Sequence, residues 1–245
     1  KLVLNNVHGG SGIIVSLNTT LAGNGASAGY VDVYGSLLPG DDGVIGTFAA
    51  NNGVNLESGS ALKFDLTSTN TPGGGVNDLI QVTGNLSLDD GVPITINPVG
   101  VIQKGKTYTL FTYTGNFSGN LLNPVQTSNL SRYSFALTND TSSMPKTIGL
   151  IVTGGPDSLV WNNNAGNGLW DNGSSQNWSN TVTSISSDVF YQYDSVLLDN
   201  SIETAANPNT ILTLGTGVNV EPTVLTVNSS TNYTIGGAGA ISGAA

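Results

Sequence analysis

Three stretches of the chain are spelled alike: Val31-Asp-Val-Tyr-Gly-Ser-Leu-Leu, Leu56-Glu-Ser-Gly-Ser-Ala-Leu-Lys-Phe-Asp-Leu and Ile80-Gln-Val-Thr-Gly-Asn-Leu-Ser-Leu. Each is an apolar/polar alternation, a glycine among small polar residues, and a second alternation. A period of two puts apolar side chains on one face of a strand, and a glycine at the break permits a turn. The turn glycines Gly35, Gly59 and Gly84 recur at intervals of about 24 residues, a spacing suited to stacked coils rather than to one closed sheet.

Helical periodicity is nearly absent, and glycine interrupts most stretches. Residues 11–21 and 30–34 read as strands around a small-residue turn. The connectors between the alike stretches differ in length, Leu38-Pro-Gly-Asp-Asp-Gly and Thr67-Ser-Thr-Asn-Thr-Pro-Gly-Gly-Gly-Val-Asn-Asp, and such loops can leave a stack at its corners without disturbing it. Later strands, Thr107-Tyr-Thr-Leu-Phe-Thr-Tyr among them, carry more aromatics, so residues 101–153 are expected to close the first stack. Gly154-Gly-Pro-Asp-Ser can continue neither helix nor central strand. The expected organisation is a section over 1–153, a linker over 154–158, and a second, tryptophan-rich section over 159–245.

Charged residues make up 9% of the chain, so surface polarity must come from Asn, Thr, Ser and backbone, as suits an extracellular protein. A net charge of −10 with only six basic residues argues against nucleic acid as a partner, because phosphate binding needs clustered Lys or Arg. The absence of cysteine removes disulfides and thiolate metal sites together. No apolar run reaches the roughly 18 residues of a spanning helix, so no membrane insertion is expected of this segment. Both ends stop in strand-like pattern and read as cuts through a longer chain.

With these residues in view, the chain resembles the autotransporter-associated β-strand repeat proteins, large secreted bacterial polypeptides. Leu21-Ala-Gly-Asn-Gly through Leu38-Pro-Gly-Asp-Asp-Gly-Val-Ile-Gly-Thr is similar to the close of a repeat array in that family. Gly59-Ser-Ala-Leu-Lys-Phe-Asp-Leu with Asn77-Asp-Leu-Ile-Gln-Val-Thr-Gly-Asn-Leu is similar to the family's stretch just after that close. Leu159-Val-Trp-Asn, Leu169-Trp-Asp, Asn177-Trp-Ser and Asp194-Ser-Val-Leu-Leu-Asp look like the opening of a fresh array. The family pattern has glycine where Tyr193 stands and phenylalanine where Leu198 stands, and its run of near-identical short repeats is missing. The resemblance implies an all-β fold, a right-handed parallel β-helix (solenoid) with a less regular Trp-rich connecting section.

Candidate sites are few. Trp161, Trp170 and Trp178 lie within 18 residues on an Asn/Gly-rich segment. They could stack on sugars, making a carbohydrate-binding module, or fold back over the apolar end of a stack. The second reading is favoured, because three open indoles would form a costly apolar patch. Asp171, Asp188, Asp194 and Asp199 could gather around calcium, but no EF-hand or Asp-containing nonapeptide spacing supports it, and turn aspartates are the simpler reading. His8 is the only histidine, no nucleophile motif occurs, and Lys63, Lys104, Lys106 and Arg132 form no cluster along the sequence. The many Asn-x-Ser/Thr triplets arise by composition, and stacked amide ladders at coil corners are the physical use expected of these asparagines.

The expected function is therefore a non-catalytic structural segment, of stalk or adhesin type, in a large secreted or surface-displayed bacterial protein, with no cofactor and no metal. Its expected partners are neighbouring segments or copies of the same protein, and glycans if the tryptophans bind them. Two alternatives stand beside it: a subunit of an extracellular filament joined through open β-helix ends, and the carbohydrate-binding module.

Overall fold

The structure, a computed structural model, describes residues 1–122, 125–127 and 132–243. It divides into two compact units, Lys1–Ser128 with Ser134–Gly154, and Asn129–Tyr133 with Gly155–Ala245. The chain is all-β with mostly parallel sheets. The one helix among the described residues is the short 3-10 turn Asn200–Thr204.

From Leu2 to Thr127 the strands of the first unit pair parallel, each with the third strand ahead of it. Leu2–Val3, Thr20–Gly23, Ser36–Pro39, Ala61–Leu66, Ile94–Pro98 and Val125–Thr127 form the first sheet. Val7–His8, Ala26–Ser27, Thr47–Ala50, Leu79–Val82 and Thr107–Tyr113 form the parallel part of the second. Ile13–Val15, Val31–Val33, Val54–Leu56, Leu86–Leu88 and Phe117–Gly119 form the third. The chain thus visits three sheets in rotation, the connectivity of a β-helix-like fold.

Register lines the inward side chains up in columns. Leu21, Leu37, Leu62 and Ile94 form one, Phe48, Ile80 and Phe111 another, and Val31, Val54 and Leu86 a third. All ten are at most 1% exposed, which makes burial between the sheets the main stabilising term. Phe64 and Phe111 meet edge to face at 5.5 Å and tie the first sheet to the second. Outside the columns, side-chain amides bridge successive circuits: Asn5 Oδ1 accepts the Asn24 N–H at 3.1 Å, Asn24 Oδ1 accepts the Thr47 N–H at 2.8 Å, and Asn85 Oδ1 accepts the Asn116 N–H at 2.8 Å.

The circuits are unequal, and the even glycine spacing is not their period. Leu21 pairs with Leu37, Leu37 with Leu62, and Leu62 with Ile94. Gly35 and Gly59 lie at the corner from the third sheet to the first, whereas Gly84 lies between the second and the third. Gly35 is required by close approach, since a Cβ there would sit 2.3 Å from the Thr19 carbonyl oxygen. Gly84 is required by conformation, with φ at +116° against the Gly53 backbone of the preceding circuit. The stretch 101–153 ends the parallel growth of the second sheet differently from the strands before it. Lys146–Val152 adds antiparallel to Thr107–Tyr113, and Phe135–Asp140 adds antiparallel to that strand.

The second unit begins with antiparallel pairing, Ile185–Asp188 on Trp178–Asn180 on Ser158–Trp161. Parallel pairing then resumes, from Ser158–Trp161 to Ser195–Asp199 to Leu225–Asn228. Ile211–Leu214 pairs with Thr234–Gly237, and Asn219–Val220 with Ala240–Ile241, both parallel, so the three-strand rotation returns after Ser195.

One buried polar group gives the first unit a pH dependence. Asp78, 1% exposed, accepts the Gly46 N–H on one carboxylate oxygen and the Asp65 N–H on the other, each at 2.7 Å. Burial nonetheless outweighs these bonds and pushes its carboxyl up to about 8, and burial raises Asp65 as well. The folded unit therefore holds a proton that the unfolded chain releases near its ordinary value of 3.8, so stability is greatest in acid and falls as pH rises between these values. Urea unfolding followed by far-ultraviolet circular dichroism is expected to show the midpoint of the first unit falling from pH about 5 to pH about 9. A flat profile would contradict the assignment.

Candidate functional site

The tryptophans fall in the second unit. Trp161 ends its strand directly opposite Trp178, which starts the next. The ring centroids of Trp161 and Trp178 lie 5.0 Å apart, those of Trp170 and Trp178 5.3 Å, and those of Trp170 and Phe190 5.5 Å, all edge to face. These four rings are fully buried and pack with Leu198, Ile202, Leu212 and Leu214. The sugar-stacking reading of Trp161, Trp170 and Trp178 is thereby corrected: stacking needs a ring face open to solvent, and each face here is used by the core.

Two amides of the Asn/Gly-rich segment that carries them, Asn163 and Asn177, turn inward. Asn177, also fully buried, accepts the Ala165 N–H through Oδ1 and donates from Nδ2 to Asn167 Oδ1 and to the Leu169 carbonyl. Asn163, at a positive φ of 45°, accepts the Gly168 N–H and donates to the Asn207 carbonyl. Trp161 Nε1 donates to the Asn209 carbonyl at 2.8 Å. Asn163 and Asn177 thus satisfy the segment's own backbone at Ala165, Gly168 and Leu169.

Arg132, the only arginine of the chain, is the centre that sequence reasoning missed. Its Nε donates to both carboxylate oxygens of Asp194 at 2.7 and 2.8 Å, while its terminal nitrogens reach Asp157 at 3.0 Å and Asp188 at 3.1 Å. A further bond goes to the Val189 carbonyl at 2.8 Å, and the guanidinium lies 5.0 Å from the centroid of Tyr191. Asn180 Nδ2 bridges Asp157 and Asp188 at 2.7 Å each. Burial works against the arginine's charge, but the three aspartates reverse it and hold the group above its ordinary range. Burial pushes the Asp194 carboxyl up, opposed by the N–H groups of Asp157 and Tyr191 and by Arg132. With four donor contacts converging on it, the ionised carboxylate is the form the geometry holds. The signal in the sequence was a lone arginine and three aspartates far apart along the chain, with nothing local to join them.

Tyr193, one of the two departures noted from the resemblance, lies at a turn. Its φ is +72°, in the left-handed region. The turn is kept because the Tyr193 N–H donates to the Glu221 carbonyl at 2.8 Å and the side chain is buried. Leu198, the other departure, lies in the core.

The other candidate residues serve local structure. Asp171 accepts from the Ser175 N–H and hydroxyl, and Asp199 caps the 3-10 turn through the Ser201 N–H. Asp188 and Asp194 belong to Arg132, so the four aspartates considered for calcium do not converge. Lys63 pairs with Asp42, and an imidazole nitrogen of His8 lies 3.2 Å from the Ser11 carbonyl oxygen. A shallow groove of about 290 Å³ on the outer side of the second unit's sheet is lined by Ser158, Val160, Thr181, Ser195, Leu197 and Thr226, among others. None of these is an acid–base group.

Replacing Arg132 by Met is expected to destabilise the second unit by about 3–5 kcal/mol, because three carboxylates lose their cation. Arg132→Lys is not expected to rescue it, since one ammonium cannot reach all three. Trp178→Ala is expected to cost about 3–5 kcal/mol. All three tryptophans lie in the second unit, so tryptophan fluorescence during urea unfolding reads these losses directly.

No family model matches the chain. Over 86 residues, 35% of this chain, it is 38% identical to the Adhesin BmaC autotransporter of Brucella suis biovar 1 (strain 1330). That stretch is 2% of the adhesin's length. The similarity relates the chain to an autotransporter adhesin over that stretch.

Proposed function

We propose that the chain is a non-catalytic structural segment of a surface-displayed bacterial adhesin, a section of right-handed parallel β-helix (solenoid) that holds other parts of a longer protein in place. The observation that carries this reading is the parallel pairing of each strand with the third strand ahead through the successive circuits from Leu2 to Thr127. In such an array each coil buries its apolar face on its neighbours, and stability accrues coil by coil. The similarity to an autotransporter adhesin supports display at the cell surface. The commitment of Arg132, Asp78, Asp171, Asp188, Asp194 and Asp199 to structural hydrogen bonds supports a non-catalytic role.

Fusion of the chain to a bacterial outer-membrane anchor, with an epitope at its distal end, tests the proposal. The expected result is antibody staining of intact cells, and no release of reducing ends from a panel of polysaccharides. An epitope that never reaches the surface would overturn the scaffold role, and reducing-end release abolished by a point substitution would overturn the non-catalytic one.

A further inference from the structure

The outer face of the first unit's third sheet departs from the rest of this sparsely charged surface. Inward Val31 and Val33 leave Tyr30, Asp32 and Tyr34 pointing outward from one strand. On the next strand Asn55 stands in register with Asp32, and on the one after it Ser87 does. Two residues farther along, Tyr34, Glu57 and Asp89 continue in line, each N–H bonded to the preceding circuit at Val15, Val33 and Leu56. Neighbouring strands lie about 5 Å apart, so a phenol and three carboxylates crowd one short stretch of sheet.

The groups are held in place. Asn55 Nδ2 donates to Glu57, and Asp89 accepts the Ser58 N–H at 3.1 Å. The Tyr30 ring lies against Gly53, where a Cβ would sit 2.7 Å from the ring. Tyr34 is 42% exposed. The shared field reaches both phenols. Tyr30 is raised above its ordinary value by burial, then by Asp32 and Glu57; Tyr34 is raised by Glu57 first, and Asp32 and Asp89 add to it.

No basic residue answers this charge. None of the six lies on a strand of this sheet, and among the described residues Asp32, Glu57 and Asp89 have no ion-pair partner. Lys1, Lys63 and Arg132 are paired elsewhere, and Lys146 is spent on the Gly115 carbonyl and the Tyr113 ring.

We infer that this face, Tyr30, Asp32, Tyr34, Asn55, Glu57 and Asp89, is a docking surface for a lysine- or arginine-bearing peptide segment of a partner protein. Carboxylates pair with the cationic heads, the phenol rings offer cation–π contacts, and the long aliphatic stems lie along the rings. The inference goes beyond the scaffold reading and does not depend on it, because binding is measured on the free chain.

The probe is fluorescein-labelled decalysine, titrated onto the whole chain by fluorescence anisotropy at low salt. Combining Asp32→Asn, Glu57→Gln and Asp89→Asn is expected to weaken binding by about tenfold or more, and Tyr34→Ala alone by about threefold. A control removes the same charge elsewhere, with Asp140→Asn, Glu203→Gln and Glu221→Gln, and is expected to change affinity by less than about twofold. Equal losses in the two triple variants would show a general effect of acidity and overturn the site. Absence of decalysine binding, or binding to neutral glycans with none to the peptide, would overturn it too. Should the triple variant misfold, Glu57→Gln and Tyr34→Ala singly decide the matter, and unchanged affinity in both refutes the inference.

Discussion

Everything in the first unit depends on the backbone hydrogen bonds that each circuit makes to the one before it. Parallel strands cannot close on themselves through tight turns; here they are satisfied because the chain returns to the same sheet every third strand. Once register is set, identical faces superimpose: leucine falls on leucine and phenylalanine within reach of phenylalanine. A one-residue slip would turn each column outward. The amide bridges from Asn5 to Asn24 and from Asn24 to Thr47 oppose such a slip from outside the core.

The all-β character was legible in the sequence because period-two alternation and turn glycines are local signals. Circuit length was not, because register is decided by burial between distant strands. The three glycines looked equivalent in spelling, yet Gly35 serves a close contact at one corner and Gly84 a positive φ at another. The tryptophan segment shows the same limit. Its composition suits a sugar site or a core equally, and only the edge-to-face rings and the inward amides decide between them. The Arg132 centre was illegible for a plainer reason: its partners come from three separate points of the chain, Asp157, Asp188 and Asp194.

A chain with so few charges uses them unevenly. In the second unit one guanidinium gathers three carboxylates and the Val189 carbonyl. In the first unit Asp78 performs a related task without a cation, joining Gly46 to Asp65 through its two oxygens. Both devices hold irregular backbone against regular sheet.

The corner between the first and second sheets spans residues 24–25 in one circuit, 40–46 in the next and 67–78 in the one after. The strands on either side keep their pairing throughout, Leu37 with Leu62 and Phe48 with Ile80. Backbone geometry is thereby separated from sequence length at this corner. New residues can enter there and acquire a surface of their own while the columns beneath them stay as they are, so the stack can change what it presents without relearning how to fold.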